Sequence, residues 1–567
     1  MAGGYAAALP FPRDRRPPVE GATLGTRDTG PDRVGRRHIG TAGVAVAIAV
    51  VAALLSGQAS ATSAAGSAPA RIGTGVVQGT VHAGYDTFDG IPYAAPPVGP
   101  LRWRAPQPPA AWDGVRDATR PGSPCPQTAG FDATTPSTDE DCLYLNLSTP
   151  HHDAGRNLPV LVFLYGGGFY SGASDQYDGR RLAVEGDVVV VTVNYRLGAL
   201  GFLADPALDR EQPGALSGNY GLQDQQAALR WIQRNAGAFG GDGHNVTLSG
   251  ESAGGISTCA QLTAPSSAGL FQRAIIESGM CPLTASWSYP GEQLGRLRAD
   301  AERDGTRMAA DLGCTDRSRV AACLRRRPVD KLLAVKQMFG PVAGAGLVPV
   351  PPATALADGR FHHAPVLEGG NSEEMRQHVA AYDQLSGQRM STADYRQQLT
   401  GFFGTADTAK VVAEYPTSRY GAPDLTFAAV FTDHTWACTR PQTDRSLDRH
   451  VPTYVYEFAD RHAPWLSDEP EPPFRPGAYH SAELQYLYDV AGLQRGLDPD
   501  QHRLSETMIK YWTRFARTGN PNGPGTPDWP AYGPGAHVQS LAPGNGGIGP
   551  ADFDREHHCG FWRALGH

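Results

Sequence analysis

Two long apolar runs stand out in the first half of the chain, Leu158–Tyr165 and Val188–Asn194. Neither alternates with polar residues as a strand with one solvated face does, so both predict strands buried on both faces of a mostly parallel sheet. Gly221–Asn235 carries apolar residues at helical spacing, and Asn245–Ser249 and Ala274–Ser278 are again β-prone. This succession of strands and helices predicts an α/β fold on a large, doubly wound, mostly parallel central sheet.

Shorter alternating patterns precede this region. Val76–Val81 and Tyr85–Asp89 alternate apolar and polar residues and predict N-terminal antiparallel strands joined as a hairpin. The prolines of Ala95–Gly99 exclude a helix and predict an extended loop. Glu140–Asn146 is expected to be a further strand with Cys142 near its start.

The N-terminal region has a different pattern. The first forty residues are rich in Arg, Pro and Gly, and Ala42–Leu55 is an uncharged apolar run of fourteen residues. That run is too short to span a bilayer comfortably. With the small residues Ala59, Ser60 and Ala61 after it, it predicts a signal peptide over residues 1–61 with a long basic n-region.

The predicted signal peptide leaves two alternatives open. One is an uncleaved N-terminal anchor, and the other is export by the twin-arginine route, for which Arg36 and Arg37 are a loose match. After cleavage we expect a flexible linker over residues 62–70 and then one domain over residues 71–567. The expected localisation is secreted and extracellular, without stable membrane association after cleavage.

Charge and cysteine content narrow the function classes. The chain carries a formal charge of −8, and residues 1–61 hold seven Arg against four acidic residues, so the remainder is at −11. An acidic chain without a basic stripe is a poor partner for nucleic acid or an anionic membrane. No C-x-x-C is present, which disfavours structural zinc, and we expect no metal. All eight cysteines follow residue 61, an even count typical of disulfides in exported proteins: Cys125, Cys142, Cys259, Cys281, Cys314, Cys323, Cys438 and Cys559.

Two glycine-rich stretches carry the candidate chemistry. Gly250–Gly255 contains a G-x-S-x-G between a predicted strand and a run that can continue as a helix, so it predicts a nucleophile elbow with Ser252 at its tip. The alternative is a glycine-rich turn with a serine cap. Gly166–Phe169 places three glycines at the carboxyl end of a predicted central strand, where bare backbone N–H groups suit an oxyanion hole.

With these motifs and several others in the same order, the chain resembles a type-B carboxylesterase of the cholinesterase and carboxylesterase family, which has the α/β-hydrolase fold. The resemblance extends from about Arg71 to the C-terminus. It rests on Gly90–Ala94, Pro96–Gly99, Glu140–Asn146, Tyr165–Phe169, Asn194–Arg196, Phe239–Asp242 and the elbow.

The resemblance implies the partners of the serine. The family acid is the last carboxylate of a G-x-N-x-D/E-E pattern, which Gly369–Glu374 matches, so Glu374 is the expected acid. Because Met375 stands where the family usually has glycine, Glu373 remains an alternative. The family histidine lies in a G-x-x-H-x-x-E-L pattern, which makes His480 the expected base.

The resemblance also implies the mechanism. His480 takes the proton of Ser252 as the hydroxyl attacks an ester, Glu374 orients the imidazole, and an acyl-enzyme forms and is hydrolysed by water. N–H groups of Gly167, Gly168 and Ala253 are the expected oxyanion donors. The expected partners are a small ester substrate and water, and the mechanism requires no metal or organic cofactor.

Four disulfides are expected. The resemblance implies Cys125 with Cys142 and Cys438 with Cys559, and relatives have a short loop like that between Cys314 and Cys323. Cys259 and Cys281 are then left as a pair. Two family salt bridges are also expected, Arg102 with Glu140 and Asp433 with Arg555.

The substrate class is less constrained by the sequence. Cholinesterases hold a quaternary ammonium group against a tryptophan in the first disulfide loop, and residues 126–141 contain no Trp and only Phe131 as an aromatic residue. A choline ester is therefore disfavoured, and aryl or short alkyl esters are expected. Residues 282–365 and 376–435, expected to add helical insertions that cover the pocket, show no motif. A lipase of the same fold and a non-catalytic adhesion protein are the alternatives.

Overall fold

The computed structural model describes residues 67–128, 135–151, 156–211, 217–283, 294–466, 470–491 and 496–566. These residues belong to one compact unit, Ala65–His567. The predicted signal peptide and residues 62–66 lie outside the described residues, as does Phe131. Within the described part of the chain no helix is both long and apolar enough to cross a membrane.

The architecture is a large central sheet with helices packed against it. Its thirteen strands are β1 Ser67–Ile72, β2 Gly75–Val81, β3 Tyr85–Pro92, β4 Val115–Asp117, β5 Tyr144–Pro150, β6 Leu158–Leu164, β7 Val189–Val193, β8 Gly241–Glu251, β9 Arg273–Glu277, β10 Val366–Asn371, β11 Thr453–Phe458, β12 Gln539–Leu541 and β13 Ile548–Pro550. They lie in the order β1-β2-β3-β5-β7-β6-β8-β9-β10-β11-β12-β13, with β4 paired to β2.

Strands β7 to β12 in this order form a continuous parallel core, flanked by the antiparallel strands predicted at the N-terminus. Every residue of β6 and of β7 is buried, which confirms the prediction of strands covered on both faces. The chain runs outward from β6 to β7 on one side and crosses to β8 on the other. In open α/β sheets such a reversal is where ligands bind, beyond the carboxyl ends of the strands.

The N-terminal helices are α1 Arg180–Gly186, α2 Gly198–Phe202, α3 Pro206–Asp209, α4 Tyr220–Asn235 and α5 Ala253–Thr263. Those between β9 and β11 are α6 Arg298–Asp311, α7 Val320–Arg325, α8 Val329–Leu333, α9 Pro352–Ala357, α10 Arg376–Ser386, α11 Thr392–Glu414, α12 Thr417–Tyr420, α13 Pro423–Phe431 and α14 Arg440–Asp448, and a π-helix spans Thr432–Ala437. The C-terminal helices are α15 Leu484–Leu487, α16 Pro499–Thr518, α17 Phe553–Glu556 and α18 Cys559–Leu565. The helical insertions expected over the pocket therefore lie mainly between β9 and β11.

The ordered domain begins earlier than predicted. Residues 67–70, assigned to the linker, belong to β1 and pair with β2 from Ser67 opposite Thr80. Ala68, Ala70 and Ile72 are all buried, so this stretch has the period of a strand although its small residues look like a linker. Its proline at position 69 is tolerated because β1 is an edge strand.

The strand predicted at Glu140–Asn146 starts four residues late, at Tyr144. The preceding residues form a turn instead, since the Asp139 carboxylate accepts a hydrogen bond of 2.9 Å from the Asp141 amide. Glu140 is held by Arg102, whose Nε donates to it at 2.7 Å, as the family resemblance implied.

All four expected disulfides are present in the structure, Cys125–Cys142, Cys259–Cys281, Cys314–Cys323 and Cys438–Cys559. The second expected salt bridge is wrong. Arg555 pairs with Asp552 and not with Asp433. Asp433 accepts hydrogen bonds from His557 and Tyr415, because the imidazole of His557 fills the buried position between Asp433 and Glu457.

Candidate active site

Ser252 stands between β8, which ends at Glu251, and α5, which begins at Ala253. Its backbone has φ 55° and ψ −118°, a strained conformation for a residue with a side chain, and such strain is concentrated at functional sites. A Cβ at Gly250 would lie 2.9 Å from Gly254 Cα, and one at Gly254 would lie 3.0 Å from the Tyr165 carbonyl oxygen. The glycines on either side of Ser252 are therefore required by close backbone approach.

The turn after β6 lies directly beside the serine, since a Cβ on Gly166 would come 2.9 Å from Ser252 Cβ. Gly167 and Gly168 both have positive φ, 94° and 60°, and the Gly167 carbonyl accepts from the Ser171 amide at 3.0 Å. Within the described residues the amides of Gly167 and Gly168 donate to no acceptor. The Ala253 amide is the first of α5 and has no partner inside its helix.

His480 and Glu374 are in direct contact, with 2.6 Å between His480 Nδ1 and Glu374 Oε2. The other carboxylate oxygen accepts from Ser278 Oγ at 2.7 Å and from the Asn371 amide at 2.8 Å. The His480 amide also donates to the Glu374 carbonyl at 3.1 Å. Both oxygens of Glu374 therefore have partners. The bonds from Ser278 and Asn371 restrict rotation of the carboxylate that contacts the imidazole.

Glu373, the alternative acid, is committed elsewhere. Its Oε2 accepts from the Ala478 amide at 3.0 Å, and its Oε1 lies 2.6 Å from Arg376 Nη2. The structure therefore brings Glu374, and not Glu373, to the ring of His480.

The other side of the imidazole faces a second carboxylate, which sequence reasoning missed. His480 Nε2 lies 3.3 Å from Glu251 Oε1, and the same oxygen accepts from Ser481 Oγ at 2.7 Å. Burial lowers the pKa of His480, but the carboxylates of Glu251 and Glu374 outweigh it and raise that pKa to about 9. Glu251 directly precedes Ser252, so this contact also places the imidazole at the elbow.

Two further buried acids, Glu277 and Glu483, lie near Glu251. Burial, with a smaller effect of the Glu251 charge, raises the pKa of Glu277 to about 8, and its carboxylate accepts from the Trp512 indole N–H. Burial and the same neighbouring charge raise the pKa of Glu483 as well. Two sequence signals for these acids were available. Glu251 directly precedes Ser252 in the elbow motif, and Glu483 stands three residues after His480 in the histidine motif.

Aromatic rings cover a further side of the imidazole. The ring of Trp436 lies 4.8 Å and that of His378 5.4 Å from the His480 ring, centroid to centroid. His378 lies in residues 376–435, which show no motif, and Trp436 is the first residue after that stretch. No sequence signal therefore pointed to either residue.

The first disulfide loop is anchored beside the glycine turn. Gln127 exchanges two hydrogen bonds of 2.9 Å with the Gly172 backbone, accepting from its amide and donating to its carbonyl. These bonds tie Gln127 to the segment that follows the glycine turn. The described residues contain no group of three or more potential metal ligands.

Comparison with known proteins identifies the family. A model of the carboxylesterase family matches residues 67–562. The chain is 35% identical over 480 residues to a cocaine esterase of Homo sapiens, covering 80% of this chain and 82% of the relative. It is 35% identical over 480 residues to a para-nitrobenzyl esterase of Bacillus subtilis, covering 81% and 91%. It is 35% identical over 478 residues to a fumonisin B1 esterase of Sphingopyxis macrogoltabida, covering 81% and 83%.

Proposed function

The chain belongs to the carboxylesterase family, and on that basis we propose that it is a secreted serine esterase that cleaves aryl or short alkyl carboxylic esters through an acyl-enzyme. The observation that carries this proposal is the contact of 2.6 Å between His480 Nδ1 and Glu374 Oε2 beside the strained elbow of Ser252. The similarity to proteins named cocaine esterase and para-nitrobenzyl esterase supports the substrate class.

In the proposed mechanism Ser252 is the nucleophile. His480 accepts its proton through Nε2, which makes no hydrogen bond to the described residues, while Glu374 holds Nδ1 and stabilises the imidazolium. The carbonyl oxygen becomes an oxyanion within reach of the amides of Gly167, Gly168 and Ala253, a kind of donor worth about 3 kcal/mol each.

The alcohol then leaves with the proton of His480, and the acyl group remains on Ser252. Water, deprotonated by the same imidazole, attacks the acyl-enzyme and releases the acid. His480 acts as the base in both half-reactions. The protons balance with the ester and water as the reactants.

One panel of substrates tests the proposal. We expect hydrolysis of p-nitrophenyl acetate and butyrate in solution, and loss of about 10⁶ in kcat for Ser252→Ala with an unchanged thermal midpoint. The panel includes a long-chain ester with and without an emulsion. Activation by the emulsion would instead favour a lipase of this fold, and no hydrolysis of any ester would favour a non-catalytic adhesion protein.

Secretion is part of the proposal and rests on different observations. The apolar run Ala42–Leu55 and the small residues before Thr62 favour cleavage after residue 61, and four disulfides favour an oxidising compartment. An N-terminus at Thr62, found by intact mass, is the expected result, whereas a retained apolar run would identify an anchor.

A further inference from the structure

Three rings of the candidate site lie close together. The centroids of Trp436, His378 and His480 are 4.8, 5.4 and 6.5 Å apart, and the longest separation is between Trp436 and His378. Two aromatic rings therefore lie against the imidazole of His480, and Glu251 Oε1 lies 3.3 Å from its Nε2.

Trp436 is carried by an unusual element. It lies in the π-helix Thr432–Ala437, and π-helical turns are rare and are frequently found at functional sites. Four interactions fix this turn. Thr432 Oγ1 accepts from the Met375 amide at 3.1 Å, Asp433 accepts from Tyr415 and His557, and the turn is followed at once by the Cys438–Cys559 disulfide.

The first of these contacts leads directly to the catalytic acid. Met375 follows Glu374, so the π-helix is hydrogen-bonded to the residue next to the acid while its tryptophan packs on the base. Trp436 is 2% exposed and His480 5%, so the indole excludes water from the side of the imidazole that it covers.

We propose that Trp436 is a positioning residue for ester hydrolysis, which keeps the His480 imidazole between Glu374 and the elbow by blocking its rotation and its hydration from one side. The inference rests on the proposed serine esterase function. It concerns how the base is held, and Trp436 itself takes no part in bond making or breaking.

The physical argument is geometric. Glu374 contacts Nδ1 of the imidazole and Glu251 lies 3.3 Å from Nε2, but neither contact prevents the ring from tilting about the line between its two nitrogens. A bulky ring at 4.8 Å on one side closes that freedom. Displacing a catalytic group by roughly 1 Å costs about 100-fold in rate, so a ring that limits this swing acts on kcat more than on substrate binding.

The kinetic test compares Trp436→Leu with Trp436→Phe and with Trp562→Leu. Trp562 is an equally buried tryptophan, 4.9 Å from the ring of His434 on the same π-helix. We expect Trp436→Leu to lower kcat about 30-fold with KM within threefold of wild type. Trp436→Phe should keep kcat within about threefold of the wild-type value, because it leaves an aromatic ring at the same position.

Trp562→Leu should lower the thermal midpoint about as much as Trp436→Leu and leave kcat within about twofold. Three outcomes would overturn the inference: a kcat within threefold of wild type in Trp436→Leu, an effect confined to KM, or an equal loss of kcat in Trp562→Leu. The last would show that general loosening of the helical layer is the cause.

A second measurement needs no substrate. Protonated imidazole quenches the fluorescence of a neighbouring indole. The fluorescence of Trp436, obtained as the difference between wild type and Trp436→Phe, should therefore rise as His480 loses its proton. Glu374, Glu251, Glu483 and His378 face the same ring, and His480→Ala identifies which group titrates. A step absent in His480→Ala supports the contact, and no step in wild type contradicts it. If no ester is hydrolysed, the proposed function fails, while this titration still decides whether Trp436 covers His480.

Discussion

At the scale of single residues, two adjacent glutamates have distinct positions. Glu374 reaches the imidazole of His480, and Glu373 binds the Ala478 amide and Arg376. We expect Glu374→Gln to lower kcat by about 10³–10⁴, as expected when the partner of a triad histidine loses its charge. Glu373→Gln should stay within about threefold. The check is kcat for both variants on p-nitrophenyl butyrate, and a larger loss in Glu373→Gln would reverse the assignment.

Glu251 is one of two carboxylates that we expect to set the pH profile. Burial opposes protonation of His480, and the Glu251 and Glu374 charges raise its pKa to about 9. Because the proposed base is the neutral imidazole, we expect kcat/KM of the wild type to rise with pH toward that value. Glu251→Gln removes one of the two charges, lowers the imidazole pKa, and should move the acid limb to lower pH.

The matched control for this experiment is Glu373→Gln, whose carboxylate is not in contact with His480. Its acid limb should coincide with that of the wild type in a profile of kcat/KM from pH 5 to 10. An unshifted limb in Glu251→Gln would mean that Glu251 is neutral in the folded protein, in the way that its buried neighbours Glu277 and Glu483 favour their neutral forms.

At the scale of elements, the sequence predicted the parts of the site that follow the regular strands. β6 and β7 are continuous apolar runs, and the G-x-S-x-G motif marks the end of β8, so Gly166–Gly168 and Ser252 follow from periodicity and motif. Glu374 and His480 needed the family resemblance, because their loops are joined only by tertiary contacts. Trp436 had no signal, since a π-helix leaves no period in the sequence and its tryptophan reads as an ordinary core residue.

The first disulfide loop is the element from which we expect discrimination between substrate classes. Residues 126–141 contain no tryptophan, so a trimethylammonium group finds no indole face there to offset its desolvation. We expect kcat/KM for a neutral butyrate ester to exceed that for butyrylcholine by at least about tenfold, or about 1.4 kcal/mol of transition-state binding. Equal rates would show that a cation site is built from another element.

At the scale of the whole molecule, a buried cluster joins the C-terminal region to the sheet. His557 Nδ1 lies 2.6 Å from Asp433 Oδ1, and His557 Nε2 is bonded to Glu457 of β11. Burial opposes the charge of His557, yet Glu457 and Asp433 raise its pKa to about 10, above the ordinary 6.5. A raised folded pKa stabilises the fold fully below pH 6.5, and that contribution is lost as pH rises through 10.

We therefore expect the thermal midpoint of the wild type to fall between pH 7 and 10. His557→Gln should have a lower midpoint at pH 7 and a weaker decline over the same range, because the titrating group is gone. His244→Gln, at an exposed position, is the control and should follow the wild type. An undiminished alkaline decline in His557→Gln would assign the effect to other groups.

The Cys438–Cys559 bond closes a loop of 121 residues, and His480 lies inside that loop. A protease that cuts the chain once anywhere between the two cysteines produces two polypeptides, one with Ser252 and the other ending at the C-terminus. The disulfide still joins them, so whichever piece holds His480 remains covalently attached to the piece that holds Ser252. A nicked enzyme of this kind would migrate as one band on a gel without reductant and as two bands after reduction.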